Sequence, residues 1–223
     1  MSRPLLLVGA GGLARETLAA VRSHHRPQWR PLGFLDDNPA RHGDTMDGLP
    51  VLGPLDMVAD HPKAAVVLCT GSTRDQGSRK RIADRLDLPP YRYATVVHAA
   101  ASLARGTEVG PGSVLLAGVV VTAPQRIGAH VVAMPHVVLT HDDAVGDYAT
   151  LAARVSVAGS VTVGEGAYLG AGALVREALT VGRWSLVGMG AVVLSDVPPF
   201  EVWVGNPARR LRHVELVTDG VRG

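Results

Sequence analysis

The residues of this chain most able to do chemistry are histidines beside carboxylates and glycines in tight runs. His141 is followed directly by Asp142 and Asp143, in the segment Leu139-Thr140-His141-Asp142-Asp143-Ala144-Val145-Gly146. An imidazole next to a carboxylate can take a proton from an attacking nucleophile, because the carboxylate favours the cationic ring. An isolated histidine in a coil segment is more often a packing or surface residue, so residue type alone leaves the role open. His136 and His141 are separated by four residues, a spacing that could begin a metal site. Near the start, Gly9-Ala10-Gly11-Gly12-Leu13-Ala14 could turn backbone N–H groups toward a phosphate. Asp36-Asp37 could touch the ribose or base edge of a nucleotide, or be solvated turn carboxylates before Asn38-Pro39. Cys69 is the only cysteine, which excludes a disulfide framework and a cysteine-based zinc cluster.

These groups need elements to hold them, and composition limits the choice. The chain has 223 residues, room for one or two domains. Aromatics make up only 4% of it, so any core is narrow and built from branched aliphatics. A net charge of +2 offers no electrostatic reason to expect nucleic acid or membrane binding. No apolar run reaches spanning length, and Met1-Ser-Arg-Pro lacks the form of a signal peptide. A cytoplasmic protein is expected.

An internal repeat decides the larger part of the fold. Every sixth residue from Val97 to Val193 is Val, Ile or Leu, with Ala133 the one exception. Two and three residues after these positions there is no Val, Ile or Leu at all. Gly110, Gly128, Gly146, Gly164 and Gly182 add a period of 18 residues, or three hexads. The unit is therefore a three-sided coil with one short strand per side, a parallel β-helix over 97–198. The fifth residue of each hexad is usually small or β-branched (Ala101, Thr107, Ser113, Val131, Ala149, Ala167, Ala173, Ser185), as a tight inner corner requires. Glycines near the corners would allow backbone conformations closed to other residues. A β-sandwich of alternating strands does not hold six-residue spacing without a slip. Stacked coils leave open edges at both ends, so residues 1–96 and the segment 199–223 are expected to cap them.

Residues 1–96 follow another pattern. Leu5-Leu6-Leu7-Val8 is a buried-strand run that leads through Gly9–Ala14 into a helix from Arg15 to about Ser23. This is the G-x-G-x-x-A fingerprint in its strand–turn–helix setting, so a Rossmann-like α/β domain is expected. Further strands at 32–35 and 65–69 end in Asp36-Asp37 and Thr70-Gly71-Ser72, followed by a helix over 79–86. Such strand ends converge where an open α/β sheet binds its ligand. A dehydrogenase would need more sheet and a catalytic domain. This chain moves straight into the β-helix.

A short nucleotide-binding α/β domain joined to hexapeptide coils resembles the bacterial nucleotide-sugar acetyltransferases that modify sialic acid, bacillosamine precursors and perosamine. The residues carrying the resemblance are GAGG at 9–12, GFLDDNP at 33–39, GLPVLG at 48–53, the hexads, and VGNPARRL at 204–211. It implies left-handed coiling, a homotrimer with parallel helices, acetyl-CoA as co-substrate, no metal, and a nucleotide-linked sugar as acceptor. Carried over by position, the acceptor contacts would be Gly11, Gly12, Leu13, Asp36, Asp37 and Gly71. The base would be His141, with Asp142 strengthening it. A backbone amide at Gly159 would hold the thioester carbonyl, and Thr150, Ala171 and Met189 would be further CoA contacts. Two positions depart from the family: Thr150 stands where relatives can carry a second histidine, and Met134 where a polar residue can occur.

The repeat supports part of this independently. His141 and Gly159 are both third in their hexads and one coil apart, so they should sit on adjacent rungs of one corner. A base and an oxyanion-binding amide need that proximity. The implied reaction is direct acetyl transfer to an amine in a ternary complex, with no acyl-enzyme. Acetylation of a sugar hydroxyl is the first alternative. A metal enzyme of the γ-carbonic-anhydrase type is another, but the position two coils before His136 is Ala100, His98 is out of register, and His130 lies on another face. A non-catalytic nucleotide-sugar-binding protein is the third; the His141-Asp142 pair and Gly159 speak against it.

Overall fold

The computed structural model describes residues 2–215. The last eight residues of the expected C-terminal cap lie outside the described residues. The N-terminal part is an α/β unit with β1 (Arg3–Val8), α1 (Gly12–Arg22), β2 (Trp29–Leu35), β3 (Thr45–Met46), β4 (Leu49–Gly53), β5 (Ala65–Leu68) and α2 (Ser78–Leu86). The strand order is β3-β4-β2-β1-β5, parallel except for the β3–β4 pair. The apolar runs of β1 and β5 make both faces of this sheet dry, as a parallel sheet needs. The chain direction reverses its strand order between β1 and β5, so the turns after these strands form a crevice at their C-terminal ends.

From Val96 onward the chain forms coils. Each coil contributes one two-residue strand to each of three parallel sheets, and strand partners lie 18 residues apart, as in Val120–Val138 and Leu139–Val157. The first face holds Val96–Val97, Val114–Leu115, Val132–Ala133, Thr150–Leu151, Tyr168–Leu169 and Leu186–Val187. The second face runs from Ser102–Leu103 to Val192–Val193, and the third from Glu108–Val109 to Thr180–Val181. The repeating aliphatics point inward and pack as one column with the fifth-position residues (Leu115, Val121, Leu139, Leu151, Val157 and Val163 among them). A hairpin of Glu201–Val204 and Arg209–His213 continues the first face beyond its last coil strand.

The two glycine signals have separate causes. Every fourth hexad position from Gly106 to Gly190 has a positive φ, with Pro124 as the exception its ring dictates. Asp142, Tyr148, Arg154 and Ser160 adopt this strained left-handed conformation without being glycine. The 18-residue glycine column at 110, 128, 146, 164 and 182 does not. A Cβ at any of these would lie 2.5–2.7 Å from backbone atoms of the next coil. Those glycines answer to close stacking of the coils, not to backbone freedom as the sequence suggested.

The α/β unit covers the first face. Leu5, Leu7, Ala14, Leu18, Phe34 and Val67 share one buried cluster with Val96, Val114, Leu116 and Val132, the outward residues of the first coils. Arg79 of α2 enters this seam and is 1% exposed. Its guanidinium donates to the carbonyls of Thr70 (2.8 Å), His130 (3.0 Å) and Tyr148 (2.6 Å) and to Thr150 Oγ1 (2.7 Å). Burial pushes its pKa down to about 10, which leaves it charged at neutral pH.

His130 sits beside it, edge-on to Tyr93 (ring centroids 4.5 Å apart) and stacked on Tyr148 (5.0 Å). Burial first, and the Arg79 charge second, push its pKa down to about 4. Unfolding returns it to about 6.5, so the neutral ring stabilises the fold fully above pH 6.5 and that contribution is lost as pH falls toward 4. The stability of wild type relative to His130→Asn is expected to fall by about 3 kcal/mol between pH 7 and pH 4, measured by urea denaturation. A difference that stays flat with pH would show the ring is not buried as described.

Candidate active site

His141 stands at the corner between the second and third faces, just after the strand Val138–Leu139. Its Nδ1 is 2.8 Å from Asp142 Oδ2, and both side chains are exposed. Nδ1 therefore carries the proton in the neutral ring, and Nε2 is left as the acceptor. The ring lies over the next coil: a Cβ on Gly159 would be 2.4 Å from His141 Cε1 and 2.5 Å from Nε2. The coil spacing thus brings this pair together as the sequence implied. The two backbones are tied by Ser160 N donating to His141 O at 2.9 Å. Among the described residues no acceptor takes the Gly159 N–H, and Gly159 itself is buried beneath the imidazole. A bare ring nitrogen and an unspent N–H can share a proton transfer and an oxyanion.

Ala171 and Met189 lie one above the other at the corner between the first and second faces, where Gly190 N donates to Ala171 O at 2.9 Å. Met189 is 77% exposed. The strands Leu174–Val175 and Val192–Val193 run from that corner toward the one carrying His141 and Gly159. Thr150 is not with them. It is buried in the first face with its hydroxyl on Arg79, and the chain does not bring it to His141. His136 stands at the first–second corner over Gly118, a strand away from His141. Among the described residues no three His, Cys, Asp or Glu side chains group closely enough to hold a metal ion.

The acceptor candidates divide in the same way. Gly11 and Gly12 open α1, whose first turn has no side-chain cap and no acidic residue, so its N–H groups are unspent. With Ala10, Arg15, Arg41 and Thr45 they line a cleft of about 470 Å³. Leu13 packs partly buried behind the turn. Asp36 braces the turn itself: Oδ2 accepts from Ala10 N at 2.8 Å and Oδ1 from Asn38 N at 2.9 Å. Asp37 turns away, accepting from Leu55 N at 3.0 Å and pairing with Arg85 at 2.6 Å. Gly71 leaves room for Arg79, whose Nη1 lies 2.4 Å from where a Cβ would be. Arg41 was not foreseen. Its guanidinium donates to Ala10 O and puts a fixed positive charge at the cleft. A cation two residues past the Asn38-Pro39 turn was the only sequence signal for it.

No family model and no curated protein sequence matches the chain. Solved structures do, over nearly its full length. PerB from Caulobacter crescentus, solved with CoA and GDP-perosamine, is 25% identical with a TM-score of 0.82, covering 93% of this chain and 97% of that one. The acetyltransferase domain of PglB from Neisseria gonorrhoeae is 25% identical with a TM-score of 0.80, covering 94% and 100%. WeeI from Acinetobacter baumannii is 28% identical with a TM-score of 0.78, covering 93% and 99%. In fold, and along nearly its whole length, the chain is similar to the nucleotide-sugar acetyltransferases of the hexapeptide-repeat type, the family its sequence resembles.

Proposed function

We propose that the protein transfers an acetyl group from acetyl-CoA to the amino group of a nucleotide-linked aminodeoxysugar. The observation that carries this reading is the His141 ring, held on Asp142 and laid against Gly159, in a fold shared with an enzyme solved with CoA and GDP-perosamine. The sugar amine attacks the thioester carbonyl while His141 Nε2 takes its proton. The developing oxyanion is met by the Gly159 N–H. The C–S bond then breaks, an amide remains, and the departing thiolate takes the proton back from the imidazolium. No covalent enzyme intermediate is needed, and Cys69 is buried in the other unit. The CoA arm lies along the second face past Gly159, Ala171 and Met189, while Thr150 belongs to the Arg79 seam. The sugar nucleotide takes the α1 turn, with its phosphates on Gly11, Gly12 and Arg41 and its ring toward Leu13, Asp36 and Gly71, while Asp37 stays with Arg85.

The coil is read as left-handed and the assembly as a homotrimer. The outward residues of the second face are Val120, Val138, Leu174 and Val192 with Ser102 at one end and Ser156 between them, a mostly apolar surface uncovered in the single chain, with Leu174 46% exposed. Two further copies would bury it. The corner carrying His141 lies across the prism from the face that the α/β unit covers, so base and acceptor turn would come from different copies. Residues 1–96 are then the sugar-nucleotide domain, 97–198 the acetyl-transfer domain and 199–223 the cap.

Acetyl-CoA turnover with UDP-, GDP- and dTDP-linked amino sugars tests the reaction. Turnover is expected with at least one of them and not with its hydroxyl counterpart; acetylation of the hydroxyl sugar alone would overturn N-transfer. Co-assembling His141→Ala with Gly12→Asp chains tests the shared site, since a Cβ at Gly12 meets no atom within 4 Å. The mixed trimers should be far more active than either parent.

A further inference from the structure

We infer that Asp143 is a positioning residue of the transfer site, a buried carboxylate that fixes His141 and the Gly159 amide relative to each other. The inference rests on the reading of His141 as the base. Asp143 is fifth in its hexad, a place otherwise filled by Ala, Val, Leu, Ser, Thr and one Gln; no other charged residue occupies it from Ala101 to Val197. It is 3% exposed. Burying a carboxylate is costly unless its oxygens are well bonded, and alanine or valine would satisfy packing here as they do elsewhere.

What Asp143 holds is the backbone on either side of the reacting groups. Oδ2 accepts from Thr140 N, the residue before His141, at 2.9 Å. Oδ1 accepts from Val161 N, two residues past Gly159, also at 2.9 Å. Its own N–H donates to Gln125 Oε1, the lone amide among the fifth positions, at 2.9 Å. The regular coil bond is replaced at this point. One coil earlier Thr122 N donates to Leu139 O at 3.0 Å, and one coil later Ala158 N donates to Val175 O at 3.0 Å. Thr140 N, in the same place, donates to Asp143 instead. The segment leading into His141 is thus hung on a side chain, and that side chain also grips the strand entry beyond Gly159. The spacing of base and oxyanion donor is set by one carboxylate bridging two coils.

Asp143→Asn puts an amide NH2 against one of the two N–H donors and releases one side of the bridge. Because small misplacements of reacting groups cost up to about a hundredfold in rate, kcat is expected to fall about tenfold or more. KM for acetyl-CoA should stay within about twofold, since most of the CoA arm rests on Ala171 and Met189, away from Asp143. In a His141→Ala background the same change should lower the residual rate no further, which a general loss of stability would not spare. Gln125→Ala, which keeps the carboxylate and frees Asp143 N, should show a smaller loss of the same pattern and serves if Asp143→Asn does not fold. A folded variant with kcat within about twofold of wild type, or an equal loss in both backgrounds, overturns the inference. His141→Ala retaining its rate would instead overturn the base assignment, whatever Asp143→Asn does.

Discussion

Replacing His141 with alanine is expected to lower kcat by about a hundredfold or more while leaving the fold and the KM for acetyl-CoA nearly unchanged, because general-base terms are worth at least about that much. The ring is exposed and packs only on the surface of Gly159, so its loss opens no cavity in the core. What disappears is the bare ring nitrogen over the unbonded Gly159 amide. Some rate should survive, since the amide and the two bound substrates still favour the reaction through proximity. Added imidazole should recover part of the loss by occupying the vacated place over Gly159. Steady-state kinetics with and without imidazole measures both effects. A variant within a few-fold of wild type would show that the amine loses its proton some other way.

The largest expected effect on stability belongs to Arg79. Arg79→Met keeps much of the volume and removes every donor, leaving the carbonyls of Thr70, His130 and Tyr148 and the Thr150 hydroxyl without it in a dry seam. Each unpaired buried group costs about 1–3 kcal/mol, partly offset by no longer burying a charge, so a net loss of about 3–5 kcal/mol is expected. Lysine should recover little of it, since one ammonium cannot span acceptors that a planar guanidinium reaches together. Denaturant unfolding of the two variants measures this. Because Thr70 also leads into Gly71 at the acceptor crevice, the methionine variant should bind nucleotide sugar more weakly as well. A loss below about 1 kcal/mol would mean the seam is held by its apolar contacts alone.

Much of this was legible before any coordinate. A constraint repeated seventeen times over 97–193 is hard to misread, and its 18-residue turn was enough to lay His141 against Gly159. The strand–turn–helix at 5–23 was legible because a buried parallel strand and its glycine turn are local features. Arg79 was hidden for the opposite reason. In Arg79-Lys80-Arg81 it reads as one cation on a solvated helix face, and its partners at His130, Tyr148 and Thr150 lie 51, 69 and 71 residues along the chain. Asp37 read as a ligand contact until Arg85, far along the chain, was seen to hold it. Thr150 was placed by family position, which carries no information about what packs on its own face. The 18-residue glycines were noticed but assigned to backbone freedom, because sequence cannot distinguish a glycine needed for its φ from one needed for its missing side chain.

The most direct test is a crystal structure of the protein with CoA and the nucleotide-linked amino sugar that it turns over fastest. The amino nitrogen is expected about 3 Å from His141 Nε2, the thioester end of CoA at the Gly159 N–H, and the sugar's phosphates on the Gly11–Gly12 turn of a neighbouring copy. An amine that points away from His141, or a sugar nucleotide bound elsewhere than that turn, would contradict the account.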